Sequence, residues 1–143
     1  MKELQFTIDI NAPKEAVWDT LWQDASLRDW SGIIDPGTYM IGELQEGATV
    51  QFNSAAGYGV TSLVSKLVPN QYVVFHHKAD TQDDGDKNRD DQWTGGHESY
   101  ELTETDGTTS LHMRLDVPPE LEETMRTRYP KALRRVKELA ERR

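Results

Sequence analysis

No cysteine occurs in the 143 residues, which excludes disulfide bonds, zinc–thiolate sites and a cysteine nucleophile. Basic residues are also scarce: 16 Lys and Arg stand against 25 Asp and Glu, a formal net charge of −9. A general nucleic-acid binder needs a basic footprint, so none is expected here. Long apolar runs are missing too. No stretch approaches the ~20 residues of a membrane span, and the first residues lack a signal peptide's basic and apolar regions. Neither a Ser-His-Asp spacing nor a strand–turn–helix nucleophile elbow appears, which argues against a hydrolytic triad. What remains is 36% hydrophobic and 29% charged residues, the composition of a soluble globular chain. One domain over residues 1–143, cytoplasmic and monomeric, is the expectation.

The few basic residues are unevenly placed. Eight of the 16 lie between Arg126 and Arg143. Such a basic end either meets an acidic partner or complements the dipole of a C-terminal helix, and the helix explanation needs fewer assumptions.

Periodicity then orders the chain. Leu4, Phe6, Ile8 and Ile10 alternate with polar residues, which predicts a half-buried strand. Ala-Pro at residues 12–13 breaks the alternation, and Ala16, Val17, Trp18, Leu21 and Trp22 follow at helical spacing. Pro13 fits the first helical position. Trp18, sharing a face with Leu21, is expected to pack inside or against the end of the sheet. A second short helix is predicted near Asp24 to Trp30, before the turn residues Asp35-Pro36-Gly37. From Thr38 to Val117 the pattern is of about six strands. They cover Thr38–Glu43, Ala48–Asn53, Val60–Val68, Tyr72–Lys78, Gly96–Thr105 and Thr108–Val117, with Asp106-Gly107 as a strong hairpin signal. Residues 79–96 form the one long loop. Leu121, Met125, Tyr129, Leu133, Val136 and Ala140 mark one face of a long C-terminal helix. Pro130 interrupts it, predicting either a kink at residues 126–130 or a break near Arg128, with Glu120 to Arg128 as a mobile gate.

Together these residues resemble the START/SRPBCC helix-grip superfamily, the birch-pollen-allergen-like fold. Within it they resemble the branch named after the activator of the heat-shock protein 90 ATPase. The resemblance rests on Ala12, Pro13, Val17, Trp18 and Leu21, on Trp30 after the second helix, on Val68-Pro69-Asn70 with Tyr72–His77, and on Leu102 to Leu111. It spans nearly the whole chain and departs at the acidic loop, at His77 and near Leu115. It implies an α+β helix-grip fold: a curved antiparallel sheet of about seven strands around a long C-terminal helix, with two short helices after strand 1. It also implies a cavity between sheet and helix.

The aromatic residues Trp30, Tyr39, Phe52, Phe75, Trp93 and Tyr100 are the candidate walls of that cavity. Val73, Phe75 and His77 share a strand face, so His77 rather than His76 points inward, either to a ligand or to a Tyr or backbone partner. Met113 faces the helix from the partner strand, and Met125 and Tyr129 face the sheet from the helix. The acidic loop has Asp80, Gln82, Asp84, Gly85, Asp86, Asn88 and Asp91 at calcium-loop spacing. Gln at the third place and Asp at the twelfth are poor ligands for it, and the flanks are not helical. A solvated mobile loop is the expectation, with no metal and no cofactor.

The function expected is non-covalent binding or transport of a small hydrophobic or amphipathic molecule. Two alternatives stand beside it. One is a protein-interaction module of the chaperone-ATPase-activator kind. The other is a cyclase or dehydratase-type enzyme using His77, Tyr100 or Glu98 as acid or base.

Overall fold

The computed structural model describes residues 1–83, 85 and 87–143. The chain opens with β1 (Lys2–Ile10), followed by α1 (Lys14–Trp22) and α2 (Asp24–Ser31). Seven strands come next: β2 (Tyr39–Ile41), β3 (Thr49–Asn53), β4 (Tyr58–Val68), β5 (Tyr72–Gln82), β6 (Lys87–Asn88), β7 (His97–Thr105) and β8 (Thr108–Val117). A 3-10 turn at Pro119–Leu121 leads into α3 (Glu122–Glu141). Among the described residues the strands form one antiparallel sheet in the order β1-β8-β7-β5-β4-β3-β2, with short β6 paired to β5. This is the helix-grip architecture.

Its inner face is built by simple alternation. In the β7–β8 ladder Glu98 lies opposite Leu115, Tyr100 opposite Met113 and Leu102 opposite Leu111. Five of these six are fully buried against α3, which presents Met125, Tyr129, Leu133, Val136 and Ala140. The hairpin closes through Asp106 and Gly107, at φ 52° and 81°. Two successive positive φ values are what a tight hairpin turn demands, and Asp-Gly supplies them at least cost.

Alternation fails where strands bulge. Between β4 and β5 the register shifts once after Thr61 and again after Val64. Lys78 is the extra residue on β5, so the inward row Val73, Phe75, His77 continues at Asp80 instead of Ala79. Bulges of this kind also bend and twist the sheet around what it covers. The loop expected from residue 79 therefore starts as strand: β5 runs on to Gln82.

Two further expectations need correction and one needs refinement. Pro13 caps α1 instead of entering it. Trp18 and Trp22 are both half-buried and pack against the core, beside the buried Val17, Thr20 and Leu21, but it is Trp22 whose ring meets Phe75 and Tyr100. Finally, α3 passes through Pro130 as one helix, without a break near Arg128. Burial of Tyr129, Ala132 and Leu133 on both sides of the proline outweighs the amide it removes.

The basic end of α3 is engaged within the fold. Arg135 grips Asp29 of α2 with two bonds of 2.8 and 3.0 Å, and Arg143 reaches Thr20 Oγ1 at 2.8 Å and Gln23 Oε1 at 3.0 Å. Its last turn holds no basic residue. These cations clamp α3 to the first two helices rather than complementing the helix dipole.

Candidate functional site

The sheet and the three helices line a partly open cavity of about 150 Å³. Seven of the ten residues singled out in the sequence line it: Trp30, Phe52, His77, Trp93 and Tyr100, with Met125 and Tyr129 from α3. Three do not. Phe75 and Met113 are fully buried beneath the wall as ordinary core, and Phe75 supports it by packing edge-on against Phe52 at 5.2 Å. Tyr39 sits outside, half-buried, under the guanidinium of Arg28.

Trp22 is the residue the pattern missed. Its ring lies 5.0 Å from that of Tyr100, 5.4 Å from Phe75 and 6.5 Å from Trp30, all edge-to-face. Trp30 is locked by its indole N–H, which donates to the carbonyl of Leu21 at 3.2 Å. The Trp22 indole N–H is buried without a partner, a donor held in reserve at the cavity wall.

One end of the cavity is polar. The Tyr100 hydroxyl donates to Glu98 Oε2 at 2.5 Å, and His77 Nε2 stands 3.9 Å from Glu98 Oε1. Behind it, His77 Nδ1 is 2.7 Å from Ser62 Oγ, both groups buried. With Ser62 donating, the imidazole keeps its proton on Nε2, facing the carboxyl. The partner that satisfies His77 is thus a serine on β4, rather than tyrosine or backbone.

Burial drives these groups toward neutrality. It pushes the Glu98 carboxyl up to about 7, against the lowering effect of the Tyr100 hydrogen bond. It pulls His77 down to about 4, with nearby Asp80 opposing. Both tyrosine hydroxyls are held well above their ordinary range, by burial first and by Glu98 second. At neutral pH the site holds a neutral imidazole beside a carboxyl that is ionised about half the time.

The acidic loop contributes a buried strut. Asp80 Oδ1 accepts from the amides of Trp93 (2.9 Å) and Thr94 (2.8 Å) and from the Thr94 hydroxyl (2.7 Å), while Arg89 approaches Oδ2 at 3.3 Å. Arg89 also donates to the carbonyls of Thr81 and Gly59. This network seats the Trp93 ring against His77, centroids 6.3 Å apart. Asp80 is thereby committed to the fold, the first residue of the calcium-like spacing included. Asp84 and Asp86 of that spacing lie outside the described residues. Among the described residues no group of three acidic or histidine side chains is placed to hold a metal.

Residues 11–141 match the profile of the activator of Hsp90 ATPase homolog 1-like protein family. The chain belongs to that family. No curated protein matches it. Solved structures with the same fold include the Aha1 dimer from Colwellia psychrerythraea, 24% identical, with a TM-score of 0.72, covering 99% of this chain and 97% of that one. Protein MLL2253 from Mesorhizobium loti is 16% identical, with a TM-score of 0.75, over 99% and 98% of the two chains. DynU16, of the dynemicin biosynthetic locus, is 12% identical with a TM-score of 0.73, covering 99% of this chain and 48% of its own. At these identities the likeness establishes the fold. For a member of the Hsp90-ATPase-activator-like family, the chemistry has to be argued from its own cavity.

Proposed function

We propose that this chain binds a small, compact, partly apolar molecule, without covalent chemistry, in the cavity between sheet and α3. The observation that carries the proposal is a partly open, aromatic-walled space with hydrogen-bonding groups gathered at one end. Its size limits the occupant. About 150 Å³ is below the roughly 300 Å³ at which drug-sized pockets begin, and matches a cavity that admits benzene. A long acyl chain does not fit unless α3 moves. The apolar body of the ligand would pack on Trp30, Phe52 and Met125, and its polar group would meet Glu98, Tyr129 and the Trp22 indole. On this reading the chain acts as one START/SRPBCC-like domain, monomeric and cytoplasmic, needing no cofactor. Sedimentation settles the monomer against the dimeric state named for the Colwellia relative.

Native mass spectrometry of protein taken from its host tests the reading. A retained small molecule, lost when the Trp22 and Trp30 side chains are both cut to alanine, is expected. An empty cavity, together with no response to a broad panel of small aromatic and aliphatic compounds, contradicts it.

A second reading has an observation of its own. A hollow of about 400 Å³ lies between edge strand β1 and α3, at Phe6, Pro130 and Arg134. An edge strand is where a protein partner can add a strand. If this is the working surface, Arg134→Glu abolishes partner capture and leaves cavity binding intact.

A further inference from the structure

The charges around the cavity are one-sided. Glu98 reaches its wall from β7 and Asp35 from the segment after α2, while no lysine or arginine lines it among the described residues. The cations closest to its rim are already engaged outside it. Arg128 donates to the Ile34 carbonyl at 2.7 Å, and Arg89 belongs to the Asp80 strut and a neighbouring shallow pocket. Glu98 therefore has no cationic partner. The groups facing it are His77 from β5, Tyr100 from its own strand and Tyr129 from α3. Among the described residues the Tyr100 hydroxyl alone donates to it, on Oε2. His77 Nε2 stands 3.9 Å from Oε1.

The cavity that this carboxyl faces is also lined by Trp22, Trp30, Trp93, Tyr100 and Tyr129. Aromatic faces carry partial negative charge and attract cations, the more strongly once water is excluded. Taking the cavity as a ligand site, as proposed above, we infer that its occupant is a small organic cation, an amine or ammonium whose charged nitrogen sits at Glu98 between the aromatic rings.

Three ligand classes can be weighed against the same wall. An anion would meet a carboxyl with no compensating base. A neutral apolar molecule would displace water from the part-exposed Glu98 carboxyl without offering it a partner, which is costly for a polar atom. A cation supplies the missing charge and replaces its own lost hydration with a carboxylate and several ring faces. The elevated carboxyl, at about 7, is what an acid waiting for such a partner looks like. When a cation binds, the carboxylate form is favoured, so a proton leaves Glu98 as the ligand enters.

Titration calorimetry with benzylamine, benzyl alcohol and benzoate tests this, since the three share a ring and differ in charge. Benzylamine is expected to bind about tenfold or more tighter than benzyl alcohol at pH 8, with benzoate weakest. Its affinity should fall about tenfold from pH 8 to pH 6, as Glu98, titrating near 7, becomes protonated in the free protein. Benzyl alcohol should show no such fall. At pH 6, runs in two buffers of different ionisation enthalpy should reveal nearly one proton released per benzylamine. Glu98→Gln should erase both the preference for benzylamine and its pH dependence; if that variant does not fold, the wild-type pH profile decides alone. Benzyl alcohol binding as tightly as benzylamine would overturn the cation and leave the cavity reading standing. No heat and no competition from any of the three would bring down both.

Discussion

At the scale of single residues, Glu98 and His77 carry opposite pH signatures. Between about 4.5 and 7 the folded chain keeps a Glu98 proton that the unfolded chain has released, so rising pH costs stability across that window. Between about 4 and 6.5 the unfolded chain holds a His77 proton that the folded chain lacks, so rising pH adds stability there. Each shift corresponds to about 3–4 kcal/mol. Their slopes largely cancel from pH 5 to 6.5. Denaturant melts of Glu98→Gln relative to wild type should therefore uncover a gain in stability with rising pH. His77→Gln should uncover a loss continuing to about pH 7. Parallel curves for both variants and wild type would show that neither group is held neutral by the fold.

The tryptophans make the second test at this scale. Trp22→Ala removes a ring packed on Trp30, Phe75 and Tyr100 and should cost about 3–5 kcal/mol. Trp18→Ala, at a half-buried ring, should cost about 1–2 kcal/mol. The reverse ranking in urea melts would make Trp18 the more deeply packed ring. Nothing in the spacing separates these two rings. They are four residues apart on one helix, and which one meets Phe75 and Tyr100 depends on where α2 and the sheet lie. His77 was legible because strand parity alone places it. Asp80 was not, because the bulge at Lys78 reverses that parity.

At the scale of elements, most of the fold could be read from periodicity. The β7–β8 hairpin follows from alternation and Asp-Gly, and α3 from its apolar stripe. Pro130 is where a local rule lost to tertiary packing. Its missing amide leaves the Arg126 carbonyl without its helical donor, yet Met125 and Tyr129 before it and Leu133 and Val136 after it are all buried. Pro130→Ala should therefore stabilise the protein by about 1–3 kcal/mol, restoring one helical bond. The first half of α3 borders the cavity through Met125 and Tyr129, so on the proposed ligand reading it is the half that would move on entry. Hydrogen exchange should be faster at amides 121–128 than at 133–140, and Pro130→Ala should narrow that gap. Equal protection in both halves of the wild type would remove the gate. The two ends of α3 are also tied differently: Arg135 and Arg143 clamp only its C-terminal half to α1 and α2.

At the scale of the whole molecule, the sheet and α3 make a container whose walls are apolar and whose one polar end is short of positive charge. No helix among the described residues is long and apolar enough to cross a membrane. The family match and the neighbouring structures give the architecture, and the cavity gives the chemistry. The central claim is that this space takes a ligand, and four indole N–H resonances report on it directly. Trp22, Trp30 and Trp93 line the cavity, while Trp18 does not and serves as the internal control. In a nitrogen–proton correlation titration with benzylamine, the first three signals should move together and saturably. Trp22 should move with them, because its ring packs edge-on against Tyr100, whose hydroxyl bonds to Glu98. A titration in which all four signals stay fixed, or in which Trp18 alone responds, would contradict the account.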